Sequence, residues 1–231
     1  MIKFILISFL IWRTALFLPL FVSELFIKYR TGYDYTNIWK FIEPYQPVSH
    51  FLLYPWANFD GVHYLLIAGQ GYTNNFGFLP LFPLLIRLAG AQFFSGFILS
   101  NLLFLASLFV FYKLLIFDYS NKEIRLVIIS LLLFPTSFFF ASIYSESLFF
   151  LLLVLSFYFA RKKQWLAASI CGMFLSITRI VGIFILPALI YEFIKQEKRL
   201  SSKLIPILLI PVGIISYGLY KGLGYFRADF L

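Results

Sequence analysis

Seven stretches of the chain are apolar enough to read as membrane helices: residues 4–27, 92–117, 124–141, 146–160, 165–178, 181–194 and 204–220. A bilayer's hydrocarbon core needs about 20 such residues in a helix, so several of these spans are short. Between the first two lies a stretch, 28–91, without a clear span, which carries Asp34, Glu43, Asp60, His50 and His63. Its aromatic residues, Tyr33, Tyr35, Trp39, Tyr45, Phe51, Tyr54, Trp56 and Phe59, predict a folded loop packed onto the bilayer interface rather than a disordered one. The expected fold is all-α: one polytopic transmembrane bundle over 1–231, with about seven membrane helices and a long structured first external loop.

The run from Trp165 to Ile194 is too long for one span and too short for two full ones, and Arg179 lies in its middle. Read as one helix, it would put Lys195, Lys198, Arg199 and Lys203 on the outside. Two short helices forming a hairpin, with Thr178 and Arg179 at the tip, keep that cluster inside, and an arginine at such depth must face protein or a wet cavity. The preceding pair, with residues 142–147 at its tip, has a similar form.

Composition agrees with this reading and adds sidedness. Of 231 residues, 61% are hydrophobic, 22% aromatic and 13% charged; the mean hydropathy is +0.90. Soluble domains are about 25% charged, so soluble, disordered and collagenous classes are excluded. The net charge of +9 would point to nucleic acid in a soluble protein, but no basic run is interleaved with aromatics in a soluble stretch, and no nucleic-acid partner is expected. With a cytoplasmic N-terminus, eleven Lys and Arg fall in short inside loops, against seven in longer outside ones and Arg13 within the first span, as the positive-inside rule asks. The apolar N-terminus reads as a retained signal anchor. Cys171 is the sole cysteine, which excludes an internal disulfide and cysteine-based zinc sites.

On this topology Asp60, His63, Glu146 and Arg179 share the external side. In a helix over 57–69, Asp60, His63 and Tyr64 lie on one face by the i, i+3, i+4 spacing. Each has a plainer reading too. Asp60 charges or caps a helix start, His63 is a satisfied interfacial histidine, and Glu146 follows an N-cap serine. Arg179 pairs with Glu146 or with helix-end carbonyls, or it serves as a planar fork for phosphate. Nucleotide-binding Gly-rich loops, HExxH, GxSxG and metal-ligand clusters are missing from the sequence; no metal or cofactor is expected.

The run Trp56-Ala57-Asn58-Phe59-Asp60-Gly61-Val62-His63-Tyr64, followed by Ile67-Ala68 and Gly71-Tyr72, resembles the WxxWDGxHYxxIAxxGY signature of bacterial relatives of the second mannosyltransferase of GPI-anchor synthesis. Phe78-Leu79-Pro80-Leu81-Phe82-Pro83, Phe134-Pro135-Thr136-Ser137 with Tyr144-Ser145-Glu146-Ser147-Leu148, and Thr178-Arg179 with Gly182 match three further elements in order. Trp12-Arg13 also fits the family's habit, whereas Phe59 stands where the family usually has Trp.

The resemblance implies a GT-C glycosyltransferase, a mannosyltransferase, in the plasma membrane, whose site on the external face uses a polyprenyl-phosphate-linked sugar donor. The acceptor, a glycan, lipid or protein, is unassigned. Asp60 is the expected catalytic base, with His63, Tyr64, Tyr72, Glu146 and Arg179 in substrate binding, and Arg179 ahead of His63 as the group that meets the phosphate. Other classes in play are a non-catalytic lipid-linked-sugar binding or translocating subunit and an inactive fragment. The family's members are longer, so a truncated, split or minimal form is expected.

Overall fold

The computed structural model describes residues 1–27, 52–73, 75–198 and 201–228. Asp34, Glu43, His50 and the aromatic residues from Tyr33 to Phe51 lie outside this set. The described residues are all-helical, with no strand.

α1 (Ile2–Ala15) and α2 (Leu18–Phe26) meet at a break beside Pro19, whose ring nitrogen has no hydrogen to continue the ladder. Asp60–Gln70 (α3) and Leu81–Leu88 (α4) follow. Phe93–Leu115 (α5) then runs for 23 residues behind a reciprocal Gln92/Ser95 cap. Next come Asn121–Leu133 (α6), Glu146–Arg161 (α7), Trp165–Ser176 (α8), Ile185–Glu197 (α9) and Leu209–Ala228 (α10).

Among the described residues, three stretches are long and apolar enough to cross a membrane: Ile2–Ser23, Phe93–Leu115 and Ser202–Gly222. At 1.5 Å per residue the 23 residues of α5 reach about 35 Å, enough for a hydrocarbon core of about 30 Å. The expected span 124–141 is different. α6 stops at Leu133, Phe134 is extended at ψ 134°, and Ser137–Ala141 is a separate 3-10 turn. Pro135 is the cause, since a residue before proline is pushed out of the helical region. The last helix also runs past residue 220, to Ala228.

The predicted hairpin forms. α8 ends in a turn at Ile177 and Thr178, Arg179 is extended (φ −147°, ψ 140°), and a 3-10 turn (Ile180–Phe184) leads into α9. The chain then returns, with the Trp165 and Phe193 rings 4.8 Å apart. Gly182 makes this turn possible: a Cβ there would lie 2.3 Å from the Leu175 carbonyl oxygen.

The core centres on Phe104 of α5, fully buried, stacked on Phe140 at 4.3 Å and 5.0 Å from Trp12. Ser100, Ser107, Ser156 and Ser169 are buried in helix contacts and bond carbonyls of their own helices, so small side chains permit close approach without an unmet hydroxyl. Leu10, Phe21, Leu102, Leu126, Ile215 and Leu219 are exposed on the outside of the bundle, as expected where lipid is the solvent.

Charge separates along the bundle axis. Arg161 bridges Asp118, Lys163 approaches Glu197, and Arg125 lies over Phe4; these gather at one end. Asp60, Glu146 and Arg179 lie at the other.

Candidate functional site

The segment before α3 is docked by its backbone. The Ile143 N–H donates to the Trp56 carbonyl at 2.7 Å, and the Tyr144 hydroxyl donates to the Asn58 carbonyl at 2.9 Å. Beneath it the Arg13 guanidinium lies over Trp56 at 4.0 Å, with Phe17 and Phe97 at 4.7 and 4.9 Å. Among the described residues both of its terminal nitrogens are buried with no hydrogen-bond partner, so ring faces take the place of acceptors. Arg13 thus pins the base of the loop that carries Asp60.

Asn58–Gly61 forms a tight turn closed by the Gly61 N–H to the Asn58 carbonyl at 3.2 Å. Phe59 sits at φ 52°, ψ −116°, the position of a type II′ turn that favours glycine. A non-glycine there costs about 1–3 kcal/mol. Asp60 is the next residue. It opens α3, where the helix dipole favours a negative group, and it is half-buried. Its carboxylate has no hydrogen-bond or ion-pair partner among the described residues, yet its charge acts on Tyr64, Tyr144 and Glu146.

Glu146 is the first residue of α7, and the extended backbone of Arg179 sends its guanidinium to Glu146 Oε1. The pair is partly covered, with side-chain exposures of 37% for Arg179 and 25% for Glu146, and Glu146 Oε2 is buried without a partner. Arg179 thus makes the pair with Glu146 that its plainer reading expects. Tyr64 is buried between the edges of Phe78 and Phe82, and its hydroxyl donates to Ser145 Oγ at 2.9 Å. Burial pushes that phenol up to about 12, so it stays a protonated donor that ties α3 to the start of α7.

The other two candidates stand apart. His63 is exposed; its ring stacks on Phe78 at 4.6 Å, and Asn75 Nδ2 stands 3.5 Å from its Nδ1. It makes no hydrogen bond to Asp60, Glu146 or Arg179. Tyr72 donates to the Phe78 carbonyl at 2.8 Å and faces Tyr217 and Tyr220 of α10; burial and Tyr217 raise its phenol above the ordinary value. Three of the six sequence-selected residues are therefore joined by contacts, Tyr64 to Ser145 and Glu146 to Arg179, and Asp60 lies near enough for its charge to act on Tyr64 and Glu146. Tyr144 and Ser145 complete the cluster; both stand in the motif around Glu146, which was the available signal.

The four motifs touch one another. The first reaches the third through Asn58–Tyr144 and Tyr64–Ser145, and the third reaches the fourth through Glu146–Arg179. The second packs on the first through Phe78 and Phe82 against Tyr64, and its Leu81 N–H donates at 3.3 Å to the carbonyl of Ile177, the residue before the fourth. No group of three His, Cys, Asp or Glu suited to a metal ion occurs among the described residues. The cluster offers one unpartnered carboxylate at a helix start and, beside it, a carboxylate–guanidinium pair with one oxygen uncommitted. A base and a fixed local charge are what such a set supplies.

Fold and site together define an all-helical membrane protein with a polar cluster at one end of its bundle. Compared with known proteins, the chain matches no family model, no curated protein and no solved structure.

Proposed function

We propose that this chain is a GT-C-type membrane glycosyltransferase, a mannosyltransferase, that moves a hexose from a polyprenyl-phosphate donor to an acceptor hydroxyl. The reading rests on the four ordered motifs, and one observation carries it: those motifs, spread from residue 56 to residue 182, assemble around Asp60, Glu146 and Arg179. In this reading about seven helices sit in the plasma membrane with the N-terminus inside, and the site faces outward, opposite the basic end.

Asp60 takes the proton of the acceptor hydroxyl as that oxygen bonds to the anomeric carbon. The bond from the anomeric carbon to the phosphate oxygen breaks on the opposite face, polyprenyl phosphate leaves, and the configuration inverts. Arg179 stays on Glu146, so its charge steadies the site while the pair positions the start of α7 against α3. Leaving-group charge needs its own cation or donors.

The test is transfer of labelled hexose from a polyprenyl-phosphate donor in proteoliposomes. Asp60→Asn is expected to lower the rate about 10²–10⁴-fold with an unchanged thermal midpoint. Full activity in that variant overturns the role of Asp60, and no transfer by the wild type with a panel of hexose donors overturns the enzyme reading.

A further inference from the structure

Arg179 is paired with Glu146 through one of its nitrogens, and the structure holds another cation in a cavity of its own. A groove of about 370 Å³ opens between α3, α4 and α10, within the volume range of small-molecule sites. Ile67, Pro83, Leu84 and Ile177 give it apolar walls, and Arg87 is the one charged residue in its lining. The Arg87 side chain is exposed and has no ion-pair or hydrogen-bond partner among the described residues. Beside it the groove is lined by tyrosines of α10. Tyr217 donates to the Phe76 carbonyl at 2.9 Å, whereas Tyr220 is exposed and its hydroxyl makes no hydrogen bond among the described residues.

We propose that this groove binds the phosphate of a lipid, with Arg87 and Tyr220 as its donors and the apolar walls taking the first carbons of the chain. The charge argument selects an anion: among the described residues the lining has a cation and no acid. Guanidinium forks suit phosphate oxygens. The lining argument selects an amphiphile, because one wall is α10, part of a stretch long and apolar enough to cross a membrane. Position then selects the reactive lipid. Ile67 of the groove and Asp60 lie on one helix, seven residues or about 10 Å apart, and Ile177 is two residues from Arg179. A head group with a sugar beyond its phosphate extends from the groove toward the carboxylate. The occupant is therefore a polyprenyl phosphate, an assignment that rests on the transferase reading.

The experiment uses the full chain in nanodiscs of zwitterionic lipid, with radiolabelled polyprenyl phosphate as the probe. Saturable binding is expected, weakened at least tenfold in Arg87→Gln and in Leu84→Trp, which fills the groove without touching the charge. Arg87→Lys recovers part of the loss, and Asp60→Asn binds like the wild type. Arg87 has no partner to lose, so its variants keep their thermal midpoint. Wild-type binding by both Arg87→Gln and Leu84→Trp overturns the proposal. So does equal competition by phosphatidylglycerol, which marks an ordinary anionic-lipid contact, or displacement by millimolar inorganic phosphate, which marks a free-phosphate site. Arg87-dependent binding without any hexose transfer sinks the enzyme reading and leaves the lipid site standing. Transfer with an unchanged KM for the donor in Arg87→Gln does the reverse.

Discussion

The two ends of the bundle treat their charges differently. At the basic end Ser120 and Glu123 cap α6 reciprocally, and Arg161 donates two bonds to Asp118 at 2.6 and 2.8 Å. At the other end, among the described residues, the Asp60 carboxylate lacks a partner and Phe59 holds a glycine-type conformation; one Glu146 oxygen is buried without a hydrogen bond, as is Glu197 Oε1 at the basic end, which keeps Lys163 at 3.9 Å. Each buried unmet group costs about 1–3 kcal/mol, and local strain adds to this. The first arrangement pairs its exposed charges with one another. The second, in the transferase reading, is the end that meets substrate.

The contrast breaks most violently at Gly182. Any side chain there meets the Leu175 carbonyl oxygen and the Ser176 nitrogen, both backbone atoms of α8's last turn, so relaxation must unwind the turn that presents Arg179. Gly182→Ala is expected to cost about 3 kcal/mol, at the top of the overpacking range, read as the thermal midpoint in detergent. Gly69→Ala is the control of opposite sign. Gly69 lies inside α3 with nothing within 4 Å of a Cβ, and the change gains about 0.5–1 kcal/mol.

Next in size is the ion pair. Arg179→Met leaves Glu146 partly buried with no countercharge, and about 2 kcal/mol is expected, less than the 3–5 kcal/mol of a fully buried pair because both side chains keep some exposure. The double variant Arg179→Met, Glu146→Leu should recover most of that stability while losing transfer. Independent additive losses in the two single variants would show that the pair does not act as a unit.

Legibility in the sequence differed between the ends for a physical reason. α5 could be read because apolar residues dominate its 23 positions, and the hairpin at Arg179 followed from placing the basic cluster inside. The end of α6 was misread because the apolar run through Phe138 outweighed Pro135, although the conformational limit before a proline was visible. Asp60 and Glu146 were visible as carboxylates in short motifs. Their connections were not, since Tyr64–Ser145 spans 81 residues and Tyr144–Asn58 spans 86. The groove at Arg87 was further from view: it exists because Tyr217 of α10 reaches Phe76, 141 residues away. Pairings of this range depend on how helices pack, which no local pattern encodes.

Phe59 offers a smaller effect that sharpens the contrast. Phe59→Gly removes the strain of its positive φ but adds backbone freedom to the unfolded chain, for a net gain of about 1 kcal/mol. Transfer is expected to fall in the same variant, because the turn that aims Asp60 is looser. A stabilised variant with lower kcat and unchanged donor KM is the signature of a turn held for function. Unchanged kcat would assign the turn to folding alone.

The smallest effect belongs to the basic end. Asp118 is exposed, and its two hydrogen bonds from Arg161 hold its carboxyl below the ordinary value of 3.8. A carboxyl lowered on folding contributes stability at pH above its unfolded value, and that contribution fades as pH falls through the folded value. Any difference in thermal midpoint between wild type and Asp118→Asn should therefore be flat from neutral pH to about 5 and close below about pH 4. It should also shrink in high salt, because exposed pairs are screened. Arg179→Met, whose pair is partly covered, should keep most of its deficit in the same salt. Equal salt sensitivity of the two pairs would erase the difference between the ends.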